Sequence, residues 1–257
     1  NKFTFIRRVA MVDKINLSDD TEYTLNAIKK NILSQYSLSN STVNMIKFKD
    51  TDKQRAIYKV TNENKSYCLK KVYYDEGNLL YVYSAMEWLY RNGLNVPKLL
   101  PCNNNHRFIR YDDMLFILTP WVDGEKCSFD NINHLTLSMN TLAKVHRVSS
   151  NFFPMEGSAN RVSSEDYHET IYKHFNNLLE YENLAIHHKD KFSQIFLKNF
   201  SDQFELSKLS LDLSSRIINS ELSTSLCHGD YVNKNIIISS NNDVWLIDFD
   251  KCKFDYC

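Results

Sequence analysis

Three side chains near the C-terminal end of the sequence, Asp230, Asn235 and Asp248, have the types and spacing of a phosphoryl-transfer centre. They lie in Leu226-Cys227-His228-Gly229-Asp230-Tyr231-Val232-Asn233-Lys234-Asn235, which leads into Ile236-Ile237-Ile238, a polar turn from Ser240 to Asp243, and Val244-Trp245-Leu246-Ile247-Asp248-Phe249-Asp250. Two short apolar runs joined by a polar turn predict a β-hairpin. With Ser239 paired to Val244, the antiparallel register sets Asn235 opposite Asp248, where paired side chains lie about 4.5–5.5 Å apart. One oxygen from each then meets the same hard cation, and Mg²⁺ suits such a pair because it keeps some water and takes its remaining ligands from phosphates. Asp230, on the loop feeding the first strand, is left to accept or orient the proton of an attacking hydroxyl. The competing reading makes Asp230 and Asn235 turn and cap residues and Asp248 a strand end. The offsets of all three around an Ile-rich hairpin favour chemistry.

Other elements must position this hairpin. Val43 to Phe48, Ala56 to Val60 and Tyr67 to Val72 are β-rich and separated by polar runs, which predicts a three-stranded meander. Leu79, Val82, Tyr83, Met86, Leu89 and Tyr90 then recur at helical spacing up to an Asn92-Gly93 stop. Another strand, Leu115 to Leu118, ends at Thr119-Pro120, and beyond Trp121-Val122-Asp123-Gly124 the pattern turns helical. Ile132, Leu135, Met139, Leu142 and Val145 form one stripe, and His146 at its edge reads as structural. A second helix runs from Tyr167 to Leu179 behind a Ser163 cap, and a third pattern from Phe192 to Ile217 contains a break. Their aromatic stripes read as core.

His228-Gly229-Asp230 with Asn235, and Ile247-Asp248-Phe249-Asp250, resemble the H-G-D-x-x-x-x-N and I-D-F/W-D/E pattern of aminoglycoside phosphotransferases, choline kinases and related small-molecule kinases. The resemblance implies an α+β, two-lobed protein-kinase-like fold, with a small antiparallel-sheet N-lobe over 1–120 and a mainly helical C-lobe over 121–257. It also implies a chain that stops before most of the family's C-terminal helices, where acceptor specificity resides. The implied cofactors are ATP and Mg²⁺, and the implied reaction carries the γ-phosphate to a hydroxyl of an acceptor that the sequence does not identify. Tyr67-Cys68-Leu69-Lys70 stands where kinases carry V-A-I-K, so Lys70 is the expected phosphate-binding lysine, while Lys71 faces the other side of the sheet as a solvated lysine. Thr119 and Trp121 match the stretch whose backbone meets the adenine. Two departures stand out: Lys49 to Arg55 has no glycine where a phosphate-covering loop uses several, and the lysine's usual glutamate partner is missing near Val82 to Ser84, leaving Glu76 and Glu87 as candidates.

Within that group, Ala85-Met86-Glu87-Trp88-Leu89, Leu226 to Tyr231 and Val244 to Asp250 are most similar to the CotS family of spore-coat proteins of endospore-forming bacteria. That likeness implies a reducing cytoplasm or a spore coat as the location, with other coat proteins as partners. It also keeps a second function class open, a structural coat protein of kinase fold with weak or no catalysis. Composition bounds the rest. With 31 Lys plus Arg against 31 Asp plus Glu there is no overall field to gather nucleic acid or an anionic membrane surface. No run approaches the roughly 18 apolar residues of a membrane span. Six scattered cysteines without a C-x-x-C pair argue against structural zinc and against a disulfide framework.

Overall fold

The computed structural model describes residues 24–49, 55–163, 166–217 and 222–257. They divide into two compact units, the first taking residues up to Leu79 together with Val96–Glu125, the second Leu80–Asn95 with Lys126–Cys257. Most of the glycine-free run between the first two strands lies outside the described residues.

The first unit is an antiparallel sheet of five strands: β1 (Thr42–Lys49), β2 (Arg55–Asn62), β3 (Lys65–Val72), β4 (Ile109–Tyr111) and β5 (Met114–Pro120), in the order β1-β2-β3-β5-β4. The expected meander is therefore its first three strands. A helical segment absent from the sequence reading precedes it: α1 (Leu25–Ala27) runs on through a π-helical turn, Ile28–Ile32, and a 3-10 turn, Leu33–Tyr36. Thr24 starts this segment by accepting the Ala27 N–H on its hydroxyl, as a good N-cap does. Ile28, Ile32 and Leu33 pack with Ala56, Tyr58, Val60, Leu69, Ile109, Phe116 and Leu118 in one buried cluster, and each such side chain withdrawn from water is worth about 1.5–3 kcal/mol.

Alternation along β3 sorts its side chains. Leu69 pairs with Leu118, and Lys71 pairs with Ala56 on one side and Phe116 on the other. Lys71 therefore continues the core-facing row and is 2% exposed. The expectation of a solvated lysine is corrected here, because strand alternation carries Lys71 into the buried row set by Leu69.

In the second unit, α2 (Glu76–Arg91), which begins in the first, ends in a Schellman turn: Gly93 has φ 78°, and the Leu94 N–H donates to Leu89 O at 3.0 Å. Trp88 Nε1 donates to Val148 O at 2.8 Å, which fastens α2 to the end of α3 (Ile132–Ser149). Asn131 caps α3, accepting the N–H of Asn133 and His134. Asp166 caps α4 (Tyr167–His188) by accepting the His168 N–H at 2.7 Å. This displaces the expected Ser163 cap, since the helix starts directly after Asp166 and Ser163 is bonded through its backbone to Phe254. The long third pattern does break, at Asn199, into α5 (Lys191–Lys198) and α6 (Phe200–Ser215). Phe175 and Phe204, 5.8 Å apart, link α4 and α6 by a ring contact, and Phe200 stacks on Phe204 within α6, also at 5.8 Å. Among the described residues no helix is long and apolar enough to cross a membrane.

Candidate active site

The hairpin expected at the end of the sequence is formed by strands Ile236–Ile238 and Val244–Leu246. Its register differs by one residue from the expected one. Ile236 pairs with Leu246 and Ile238 with Val244, so Asn235 stands opposite Ile247, whose N–H donates to Asn235 O at 3.0 Å. The cause is the turn. Ser239 closes onto Asp243 (N–H to O, 2.9 Å) around three loop residues, and the last of these, Asn242, takes φ 61°. Three-residue hairpin loops place a left-handed residue there, and asparagine tolerates it. Asp248 is consequently one step past the pair, and it too adopts a left-handed conformation, φ 65°, that ends the strand and opens a 3-10 turn, Phe249–Lys251.

Upstream, Tyr231 anchors the loop by donating its hydroxyl to Ser138 O of α3 at 2.5 Å. Asn235 is 5% exposed and spends its amide nitrogen on Asp230, reaching the backbone O at 2.9 Å and Oδ2 at 3.1 Å. Lys251 Nζ lies 3.3 Å from Asp230 Oδ1. Burial alone would raise the Asp230 carboxyl, but the Lys251 ammonium, the Asn235 amide and the Lys234 charge outweigh it and hold it below the ordinary carboxylate value. Asp230 is therefore ionised at neutral pH and able to receive a proton.

His228, which the sequence reading quoted only as part of a motif, supports this loop. It is 4% exposed, its Nδ1 accepts the Asp230 N–H at 3.3 Å, and its Nε2 donates to Ile247 O at 3.1 Å. Those two partners fix the neutral tautomer with the proton on Nε2. Burial pushes its pKa down, against the opposing pull of the Ile247 carbonyl and of Asp248, Asp230 and Asp250. One imidazole thus ties the loop of Asp230 to the residue preceding Asp248. Gly229, at φ 74°, is required beside it, because a Cβ there would collide with the carbonyl of Lys251.

Arg161 is the residue the sequence reading missed. Its Nη1 donates to Asp250 O and to Cys252 O, each at 3.0 Å, and its guanidinium lies 5.6 Å from the centre of the Tyr81 ring. It holds the turn that follows Asp248. Nothing in the local sequence marks it, since the contact spans the helical region of the chain. Asp255 lies in the strand Lys253–Tyr256 and pairs with Lys253 at 2.6 Å.

The donor set fits a small hard cation. Asn235 and Asp248 are the residues that would hold it: with Nδ2 bonded to Asp230, the Asn235 amide keeps its oxygen as a donor, and Asp248 stands one residue beyond the Asn235–Ile247 pair. Two oxygen donors, with no soft ligand among them, suit Mg²⁺ completing its shell from water and phosphate.

The remaining expected site residues belong to the first unit. Cys68 pairs with Thr119 and Lys70 with Ile117, and the Trp121 N–H donates to Ser66 O at 3.0 Å. Alternation therefore puts Lys70, Thr119 and Trp121 on one face of the sheet, where Lys59 Nζ sits 4.6 Å from the Trp121 ring centre. The Trp121 N–H is used within the sheet. Of the candidate glutamates, Glu76 pairs with Arg110 and Glu87 with Arg91, both at 2.8 Å.

The model of the phosphotransferase enzyme family matches residues 52–256. An aminoglycoside phosphotransferase from Alicyclobacillus acidocaldarius superposes with a TM-score of 0.67 at 18% identity, over 86% of this chain and 65% of that one. A spectinomycin phosphotransferase solved with ADP and spectinomycin gives 0.59 at 19% identity, over 86% and 67%. A microcompartment-associated aminopropanol kinase gives 0.57 at 14% identity, over 87% and 69%. At these identities the likeness shows the fold: kinase-like, α+β, with an antiparallel-sheet N-terminal part and a mainly helical C-terminal part. The chain spans about two thirds of the length of these neighbours.

Proposed function

The chain belongs to the phosphotransferase enzyme family, and on that premise we propose that it is an ATP- and Mg²⁺-dependent phosphotransferase acting on a hydroxyl of its acceptor. Asp230 serves as base, Asn235 and Asp248 hold the metal, Lys70 binds the phosphates, and the stretch containing Thr119 and Trp121 serves the nucleotide base. The observation that carries the reading is the Asn235 amide donating to Asp230 Oδ2 at 3.1 Å. It orients the base and leaves the Asn235 amide oxygen as a donor that would meet the metal. The neighbour solved with ADP and spectinomycin supports nucleotide use.

In the transfer, the acceptor oxygen bonds to the γ-phosphorus as the bond from that phosphorus to the β-phosphate oxygen breaks. The acceptor proton passes to Asp230, and ADP leaves. Asp230 is kept ionised by Lys251 and Asn235, and His228 holds its backbone. Mg²⁺, when bound, supplies charge to offset that developing on the phosphate oxygens. The likeness of the segments around Trp88, Asp230 and Asp248 to the CotS family supports assigning the protein to the CotS type, in a reducing cytoplasm or the spore coat among other coat proteins.

Two substitutions test the enzyme reading by calorimetric nucleotide titration and turnover. Asp248→Asn is expected to abolish Mg²⁺-dependent ATP binding, because it removes the charge that holds the metal. Asp230→Asn is expected to leave binding nearly intact and lower turnover by about 10²–10⁴-fold. A wild-type protein with no thermal shift at millimolar ATP and Mg²⁺ refutes it, since a ligand at about 100 times its Kd adds about 2.7 kcal/mol. A second reading, a structural coat protein of kinase fold with weak or no catalysis, is favoured by one observation: Lys49 to Arg55 has no glycine where a phosphate-covering loop uses several.

A further inference from the structure

The exposed charged side chains acting on Asp230 are lysines. Lys251 is 57% exposed where it meets Asp230 Oδ1, against 21% for the aspartate. Lys234 is exposed on the 3-10 turn Asn233–Asn235, and its charge acts on the same carboxylate. The neighbouring carboxylates are withdrawn, with Asp250 5% exposed and Asp248 half-buried. A hydroxyl delivered to Asp230 must therefore arrive beside two ammonium groups, one of them bonded to the oxygen it seeks.

We propose that the acceptor carries an anionic group near its reactive hydroxyl, as a sugar acid or a sugar phosphate does, and that Lys251 and Lys234 hold that group. This deepens the phosphotransferase reading and rests on it. On binding, Lys251 exchanges the Asp230 carboxylate for the acceptor's anion, so one ion pair replaces another and Asp230 Oδ1 is released to the hydroxyl. A polycationic acceptor would instead have to displace Lys251 and set like charges side by side, which selects against it. Lysine suits the role, being a compact charge on a flexible stem that can swing between two partners.

The test is isothermal titration of the whole protein, with ADP and Mg²⁺ present, using gluconate, glucose 6-phosphate, glucose and the polycationic kanamycin as probes. At least one of the two anions is expected to bind about tenfold or more tightly than glucose, and the tighter one tells carboxylate from phosphate. Lys251→Met is expected to erase that preference, Lys234→Met to reduce it, and Lys251→Glu to shift it toward kanamycin. If the charge reversal fails to fold, the two methionine variants carry the comparison. Equal binding of glucose or kanamycin to the wild type, or binding of no probe, overturns the proposal. So does a Lys251→Met protein whose defect is in ADP affinity, because the lysine would then serve the nucleotide. ADP titration without acceptor is read separately, so failure of the phosphotransferase reading is told apart from failure of this one.

Discussion

Replacing Gly229 by alanine separates two costs that a glycine can hide. The residue has φ 74°, and a Cβ built there runs into the carbonyl group of Lys251. Gly93, at φ 78°, shares the backbone conformation, but nothing lies within 4 Å of its Cβ position. Gly93→Ala should therefore show the left-handed strain alone, about 1–2 kcal/mol. Gly229→Ala carries the same strain plus about 1–3 kcal/mol for forcing apart packed atoms, one of which is backbone and cannot rotate away. At about 2–4 °C per kcal/mol for a protein of this size, the expected fall in Tm is about 2–8 °C for Gly93→Ala and about 4–20 °C for Gly229→Ala, the second exceeding the first by about 2–12 °C. Thermal unfolding followed by circular dichroism measures both. Equal shifts for the two variants would refute the steric argument, and with it the claim that the loop of Asp230 is pressed against the turn after Asp248.

His228 should give stability a dependence on mildly acidic pH. Burial holds its folded pKa below the ordinary value, so the unfolded chain binds the extra proton below about pH 6.5 and the folded one does not. The contribution is full above that pH and shrinks as pH falls toward the folded value, by up to about 1.4 kcal/mol per unit. Urea midpoints from pH 8 to 5 should show this limb in the wild type and lose it in His228→Phe; identical profiles would contradict it. Arg161→Met leaves the Asp250 and Cys252 carbonyls without their charged donor and should cost about 2–4 kcal/mol by urea denaturation, a prediction that an unchanged midpoint would overturn.

Much of the site was legible because its residues are neighbours in sequence. Asp230, Asn235 and Asp248 come from one loop and one hairpin, and the hydrophobic runs at Ile236 and Val244 announce that hairpin. The register was misread by one residue because the loop closes at Asp243, with Asn242 in a left-handed conformation that apolar periodicity cannot reveal. Lys71 was misread because residue type suggested water, whereas its place after Leu69 in an alternating strand decides otherwise. The segment 25–36 carried a usable signal, a Thr24 cap with Ile28 and Ile32 four apart, that went unread. Ile109–Tyr111 is a three-residue strand, too short for any period to show. Arg161 lay beyond reach for a different reason, since its partners are set by tertiary pairing alone.

That pairing bears on the order in which the molecule can be made. Arg161 reaches carbonyl oxygens 89 and 91 positions further along the chain, and the Phe254 N–H and C=O bond to Arg161 O and the Ser163 N–H. A ribosome adding about 5–20 residues per second needs roughly 5–20 s to cover that distance. Helices α4, α5 and α6 depend on nearer contacts and can form within this interval. The turn following Asp248 cannot be clamped until Phe254 has been synthesised. During translation, therefore, a helical body exists before its working loop has settled, and a nascent chain stalled in between would present the unclamped turn to chaperones.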